Sequence, residues 1–284
     1  MLSVVIPAYN EEKGIGKVLD ELKEILESKS RDYEIIVVDD GSTDHTAKIV
    51  KEKEVILIQH PQNKGYGAAL KNGIKHAKGE KILITDADGT YPNKEIPRLL
   101  EHADQYDMVV GSRTGKDVNI QLYRKPAKWF LSNLANYLSG TNIPDLNSGM
   151  RIFSKEDVLK FFNILPSGFS FTTTITLSYL SNDMTIKYVP IDYHERHGIS
   201  KINPIKDGLN FILLIFKAIT YFNPLKVFLP VSFGLFLIAA FLFIYSAFIL
   251  GKVMDITVII LIVSSIQIAL FGMLADLVVR RSEH

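Results

Sequence analysis

Two uncharged apolar runs, Val227 to Gly251 and Ile256 to Ala275, most constrain what this chain can fold into. Each is about the 20 residues needed to cross a bilayer, and the alternative is a pair of buried core helices. Nearly all the charge lies before about Lys226. The sequence therefore predicts a soluble part followed by a membrane part. Lys217 and Lys226 precede the first run and Arg280-Arg281 follow the second, whereas the connecting loop has only Lys252. The positive-inside rule then puts both ends of the hairpin in the cytoplasm. Between Lys206 and Tyr221, Leu209, Ile212, Leu213, Phe216 and Ile219 recur at helical spacing. That segment either lies in the membrane interface or packs on the soluble domain. The expected organisation is a domain over 1–205, an interfacial helix and linker over 206–224, and a two-helix hairpin with a short tail over 225–284.

The remaining composition mainly excludes. A net charge of +1 gives no basic footprint for nucleic acid. The absence of cysteine removes disulfides, zinc-thiolate sites and thiol nucleophiles, and it fits a reducing compartment. MLSVVIPAYN passes from a few apolar residues straight into proline and polar residues, which is not a signal-peptide pattern. The soluble part is expected to stay in the cytoplasm.

Within that part, strands and helices alternate. Leu2 to Ile6 reads as a buried strand closed by Pro7, and Ile15, Val18, Leu19, Leu22, Ile25 and Leu26 form one face of a helix. Glu34 to Val38, Val55 to Ile58, Lys81 to Thr85 and Met108 to Gly111 read as further strands. The helices between them cover a stretch through Val50 capped from Ser42-Thr43-Asp44, then Ala68 to Ala77 and Ile96 to Ala103. Such alternation predicts an α/β fold with a mostly parallel sheet, helices on both faces and ligands beyond the carboxyl ends of the strands.

Polar residues gather at those ends. Ala8-Tyr9-Asn10-Glu11, Asp39-Asp40 and Asp86-Ala87-Asp88 follow three separate strands. Residues two apart in an extended chain point to one side, so Asp86 and Asp88 can converge on a hard divalent cation. Gly89 and Pro92 let the backbone turn there. A solvated turn gives the same Asp-x-Asp pattern. Asn63-Lys64-Gly65-Tyr66-Gly67-Ala68 offers either an anion site at a helix N-terminus, with Lys64 and Gly65 contributing, or a plain tight turn. Leu70 stands at the third glycine position of a dinucleotide fingerprint, and no G-x-x-x-x-G-K-[ST] occurs, so Rossmann dinucleotide binding and P-loop ATPases drop out.

VVIPAYNEE, IIVVDDGSTD, NKGYGAALKNG and ILITDADGTYP, in that order from Leu2 to about Ser112, resemble the nucleotide-sugar-binding half of the family 2 inverting glycosyltransferases with a GT-A fold. The resemblance implies that Pro7, Tyr9, Glu11 and Asp39, with Ala8 beside them, surround the base and ribose of a nucleotide-sugar. It also implies that Asp86 and Asp88 work through Mg²⁺ or Mn²⁺ at the donor diphosphate. Asp145-Leu-Asn-Ser-Gly-Met-Arg151-Ile-Phe, Phe169-Ser-Phe-Thr-Thr and Arg196-His-Gly-Ile-Ser-Lys201 are similar to the branch that transfers sugars to polyprenyl phosphates, dolichyl or undecaprenyl. Two C-terminal membrane helices are common in that branch. The same likeness assigns Arg113, Lys128 and Ser132 to the acceptor phosphate. Processive polysaccharide synthases should show Gln-x-x-Arg-Trp, where this chain has Gln121-Leu-Tyr-Arg124-Lys125. Long-polymer synthesis is disfavoured. Mannose synthases of the branch usually carry Asp-Ala-Asp-Leu-Gln and an arginine four residues before the serine; Gly89-Thr90 and Lys128 stand here instead. Sugar and base stay open.

The implied reaction is inverting transfer of a single sugar to a lipid phosphate. Arg196 and Lys201 could close over the donor phosphates and add positive charge, or be solvated surface charges. A phosphate monoester is already ionised, its second pKa being about 6. Asp145 is accordingly a base, an orienting group or a backbone cap. The rival readings are a glycosyltransferase acting on a lipid hydroxyl such as diacylglycerol, which would need Asp145 as base, and a non-catalytic nucleotide-sugar-binding membrane subunit. The apolar spans could pair with a second copy or stay alone in lipid.

Overall fold

The first apolar stretch becomes the middle of the sheet. In a computed structural model that describes residues 1–28, 32–114, 133, 136–137, 140–168, 170–193, 224–249 and 255–282, β1 (Leu2–Ala8) is buried along its whole length. β2 (Tyr33–Asp39) and β4 (Lys81–Ile84) run parallel to it on either side, and β3 (Ile56–Gln59) pairs parallel with β2. Beyond β4 come β6 (Arg151–Ser154), β5 (Met108–Ser112) and β7 (Ile186–Pro190), so the seven-stranded order is β3-β2-β1-β4-β6-β5-β7. β6 is antiparallel to both neighbours, and β5 and β7 are parallel. The mostly parallel α/β sheet predicted from the alternation is present.

Side-chain alternation splits the core into two layers. Val4 and Ile6 join the buried face of α1 (Ile15–Ser28), formed by Ile15, Val18, Leu19, Leu22 and Leu26. Val5 points the other way, into a cluster with Leu70 and Ile74 of α3 (Tyr66–His76) and Phe171, Ile175 and Tyr179 of α6 (Phe171–Ser181). Helices on both faces explain why the central strands read as continuous apolar runs rather than alternating ones. The shorter helices α2 (Thr46–Lys51), α4 (Ile96–Leu100) and α5 (Lys155–Lys160) complete the layers.

Several features differ from expectation. Pro7 does not close β1: the strand runs to Ala8, with Pro7 opposite Val38. The ladder with β4 ends at Val5, so Pro7 has a neighbour on one side only, where a missing donor is tolerated. α3 starts two residues early, at Tyr66. β6 was not expected as an antiparallel member of the sheet. It follows a long excursion from β5, and its four residues carry little periodic signal.

The apolar runs form α7 (Leu225–Phe248) and α8 (Asp255–Ser282). Their candidate spans, Leu225–Phe248 and Ile256–Val279, have 24 residues each and mean hydropathies of 2.6 and 2.5. Such a helix is about 36 Å long, enough for a hydrocarbon core of about 30 Å. A core helix would hide its side chains, but Phe233, Phe241, Phe248, Phe271 and Leu277 are exposed. Between the helices, the Ser232 hydroxyl donates to the Ser265 carbonyl at 2.8 Å, and Gly272 admits Phe228 so closely that a Cβ there would lie 2.6 Å from its Cβ. Hydrogen bonding and small residues are the contacts that pack helices where no hydrophobic drive is available, as in lipid. Of the expected interfacial helix and linker, 206–224, everything before Pro224 lies outside the described residues, as does Lys252.

α3 rests on the sheet through Gly73, where a Cβ would strike the Val5 side chain and come within 3.1 Å of Val38 Cγ2. Gly73→Ala sets an overpacking cost of about 1–3 kcal/mol against a helix-propensity gain of about 1 kcal/mol. The expected outcome is a lower thermal unfolding midpoint in detergent; an equal or higher one would refute this packing.

Candidate active site

The strand order brings the acidic ends together. β2, β1 and β4 are adjacent, so Asp39, Ala8 and the start of Asp86-Ala87-Asp88 sit at one edge, with Asp39 and Asp86 about 10 Å apart by strand spacing. Loops stitch this edge. The Asn10 N–H donates to Ser42 Oγ at 2.9 Å and the Glu11 N–H to Thr46 Oγ1 at 2.9 Å, while the Thr43 N–H donates to Asn10 Oδ1 at 2.8 Å. Asp44 accepts from the Thr46 N–H at 3.0 Å and from the Glu12 N–H at 3.1 Å. Burial pushes the Asp44 carboxyl up, but these bonds outweigh it and hold the group below its ordinary value. Asp44 thus bonds the first N–H of α2, but the N-cap position itself is His45, whose side chain makes no cap bond.

Asp39 is 2% exposed and accepts from the Ser42 N–H at 3.0 Å and Gln59 Nε2 at 3.2 Å. Beside it Asp40 and His60 form a buried pair, Oδ1 to Nδ1, at 2.6 Å. The same carboxylate accepts the Lys64 N–H at 2.9 Å and the Gly65 N–H at 2.8 Å. Asp40 thus folds the glycine-rich turn over the sheet. Pro7 and Ala8 are buried, and the Ala8 carbonyl accepts from the Asp40 N–H at 2.8 Å. Tyr9, Glu11 and Gly65 are half-buried at the rim, and Lys64 is exposed.

At the end of β4, Ala87 points inward and is buried, while Asp86 and Asp88 are half-buried. Tyr66 Oη donates to Asp86 Oδ1 at 3.0 Å. Burial and the Asp86 charge push the Tyr66 phenol well above its ordinary value, so it stays a donor. Asp88 Oδ1 accepts from the Thr90 N–H at 3.1 Å and the Thr90 hydroxyl at 2.7 Å. Thr90, where the sequence leaves the mannose-synthase pattern, therefore orients Asp88. The donor set is two carboxylates. Among the described residues no third His, Cys, Asp or Glu completes a cluster. That set fits a hard divalent cation whose shell is finished by phosphate oxygens and water, as magnesium is usually held.

The other side of the site belongs to the turn after 140. Asp145 is 2% exposed and clamps Arg113 bidentately, Nε to Oδ2 at 2.7 Å and Nη2 to Oδ1 at 2.8 Å, and the Arg113 N–H adds a bond of 3.0 Å. Burial works against the Arg113 charge, but Asp145 more than offsets it and raises the pKa well above the ordinary value. The guanidinium also lies 5.2 Å from the centre of the Tyr193 ring, which meets Tyr91 edge-on at 5.2 Å. Tyr91 Oη accepts from the Gly149 N–H at 2.7 Å. A Cβ on Gly149 would lie 2.9 Å from both Asp86 carboxylate oxygens, so any larger residue would require that carboxylate to shift.

The structure thus joins Asp39, Lys64, Gly65, Asp86 and Asp88 at the strand ends and pairs Arg113 with Asp145 nearby. Lys128, Ser132, Arg196 and Lys201, like Arg124 and Lys125, lie outside the described residues. Sequence reasoning assigned no role to Asp40, His60, Tyr66, Tyr91 or Tyr193. Tyr66 and Tyr91 stand inside quoted motifs, but their partners are remote in sequence.

A mostly parallel sheet with paired carboxylates beyond its central strands, followed by an apolar helical hairpin, is a GT-A-like fold carrying a candidate membrane anchor. The glycosyl transferase family 2 model matches residues 3–162, and the chain belongs to that family. The GtrB C-terminal hairpin model matches residues 223–280. The low-salt glycan biosynthesis hexosyltransferase Agl6 of Haloferax volcanii is 34% identical over 73% of this chain; the match spans 51% of that protein, about half its length. The dolichyl-phosphate beta-glucosyltransferase ALG5A of Trichomonas vaginalis is 35% identical, over 69% of this chain and 67% of its own. Among solved structures, glucosyl-3-phosphoglycerate synthase from Mycobacterium tuberculosis, in complex with Mn²⁺, UDP and phosphoglyceric acid, matches with a TM-score of 0.62 at 19% identity, covering 77% of this chain and 78% of that one. That likeness is one of fold.

Tyr91→Phe removes the acceptor of a buried N–H and is expected to cost about 1–3 kcal/mol. The check is the thermal midpoint in detergent; no change would mean that the Gly149 N–H has another acceptor.

Proposed function

We propose that this chain transfers one sugar, with inversion, from a nucleotide-sugar to a polyprenyl phosphate at the cytoplasmic face of a membrane. The observation that carries the reading is the Asp86–Asp88 pair, held by Tyr66 and Thr90 at the sheet edge beside the half-buried Arg113 clamped by Asp145. The name of the dolichyl-phosphate relative and the hairpin match support the acceptor class. The basic residues Lys217, Lys226, Arg280 and Arg281, against Lys252 alone between the spans, support the orientation.

Asp39, Tyr9 and Glu11 would face the nucleoside, and Lys64 and Gly65 the diphosphate. Asp86 and Asp88 would hold Mg²⁺ or Mn²⁺, which when bound supplies Lewis-acid neutralisation of the leaving diphosphate. An acceptor phosphate oxygen attacks the anomeric carbon as the bond to the diphosphate breaks, and the nucleoside diphosphate departs. That oxygen is already ionised. Both Asp145 oxygens are engaged by Arg113, which supports an orienting role rather than that of a base. Arg113, with Lys128 and Ser132, would bind the acceptor phosphate; guanidinium geometry suits that task. Arg196 and Lys201 would add charge over the donor phosphates.

Asp88→Ala is expected to lower transfer by about 100-fold or more while the protein stays folded. The assay supplies membranes with labelled UDP- and GDP-sugars and either polyprenyl phosphate or diacylglycerol. Full activity of the variant would refute the metal role, and incorporation only into diacylglycerol would refute the acceptor.

A further inference from the structure

Arg151, at the first position of β6, is 0% exposed and one of the largest side chains wholly shut from water. Buried arginines are ordinarily matched by a carboxylate. Its hydrogen-bond partners here are neutral: Nε donates to the Ser148 carbonyl at 2.6 Å, Nη2 to the Leu146 carbonyl at 3.0 Å, and Nη1 to Thr176 Oγ1 at 2.6 Å, with Met108 Sδ at 3.7 Å. Burial lowers its pKa from the ordinary arginine value, with Tyr188 and Asp145 acting the other way. A cation in this position costs stability that an apolar residue would not.

What the fork grips is one turn, 145–149, whose two ends reach different halves of the site. The first end, Asp145, clamps Arg113. The last end, Gly149, abuts the Asp86 carboxylate and is tied to Tyr91. Between them, Ser148 Oγ donates to the Gly111 carbonyl at 2.5 Å and Thr173 Oγ1 to Asn147 Oδ1 at 2.5 Å, so α6 and β5 wall the turn in. We propose that Arg151 is a positioning residue that fixes this single turn and thereby sets Arg113 on the acceptor side and Asp86 on the donor side together. The naming of the two sides rests on the transfer reading above. Planarity is essential to the grip: Nε and both terminal nitrogens point along fixed directions to two carbonyls and a hydroxyl. The point charge of a lysine cannot serve all three.

The test uses the full-length protein in detergent with Arg151→Lys and Thr176→Val, the latter removing one partner of the guanidinium at nearly constant shape. Calorimetric binding of UDP and of GDP, each with Mn²⁺ and without turnover, reads the donor side. The KM for polyprenyl phosphate reads the acceptor side, and Asp145→Asn and Gly149→Ala serve as one-sided references. Arg151→Lys should weaken nucleotide binding and raise the acceptor KM, each by about tenfold, and Thr176→Val should move both the same way by less. Asp145→Asn should move mainly the acceptor KM and Gly149→Ala mainly nucleotide binding. Variants that unfold earlier yet keep both quantities at wild-type values would overturn the proposal, as would a shift in one quantity alone. If Arg151→Lys does not fold, Thr176→Val decides by the same criteria. Wild-type protein that transfers nothing to polyprenyl phosphate would instead sink the transfer reading, and the coupling with it.

Discussion

The site depends on β1 being paired in parallel on both sides. A parallel strand in the middle of a sheet points its carboxyl end to the same edge as its neighbours, so three separate polar segments arrive side by side without specific attraction between them. The register does the rest. Ala8 stands opposite Asp39, and β4 stops at Ile84, two residues before Asp86. Shifting either ladder by one residue would exchange the side chains of the two buried layers, and the different packing of those layers opposes that shift. Core packing therefore determines where the carboxylates stand.

On this frame the second half of the soluble domain acts as a brace. β6 enters the sheet antiparallel between β4 and β5, which places Arg151 directly beside Ile84 and Val110. The turn leading into β6 consequently meets the end of β4, where Asp86 lies. Gly149 marks the contact, and two of the buried hydroxyls on α6 serve it: Thr173 bonds Asn147 of the turn and Thr176 accepts from Arg151. Thr174 and Ser178 instead donate to carbonyls four residues back along the chain.

Much of this was readable from the sequence because it is local. Periodicity locates α1 and the central strands, uncharged length locates α7 and α8, and the acidic strand ends follow from the alternation. The rest was hidden because it is long-range. The Arg113–Asp145 pair joins residues 32 apart, and Tyr66–Asp86 and Asp40–His60 join residues 20 apart. Nothing local announces such partners. β6 carried no signal because four residues with one charge fit a loop as well as a strand. Arg151 stood inside a quoted motif, yet only its burial distinguishes it from a surface arginine.

The acids gathered at this edge have different hydrogen-bond partners. Asp39, Asp40 and Asp44 are occupied by backbone N–H groups, by Gln59 and by His60, and Asp145 by Arg113. Those bonds shape the loops. Asp86 takes the Tyr66 hydroxyl, and Asp88 takes the Thr90 hydroxyl and N–H, bonds that fix the direction of the two carboxylates. Hydrogen bonds from neighbouring groups orient carboxylates of the kind that hold a metal. Gly89-Thr90 stands where the resemblance leads one to expect Leu-Gln, and Gly89 turns at φ +74 and brings the Thr90 hydroxyl back onto Asp88.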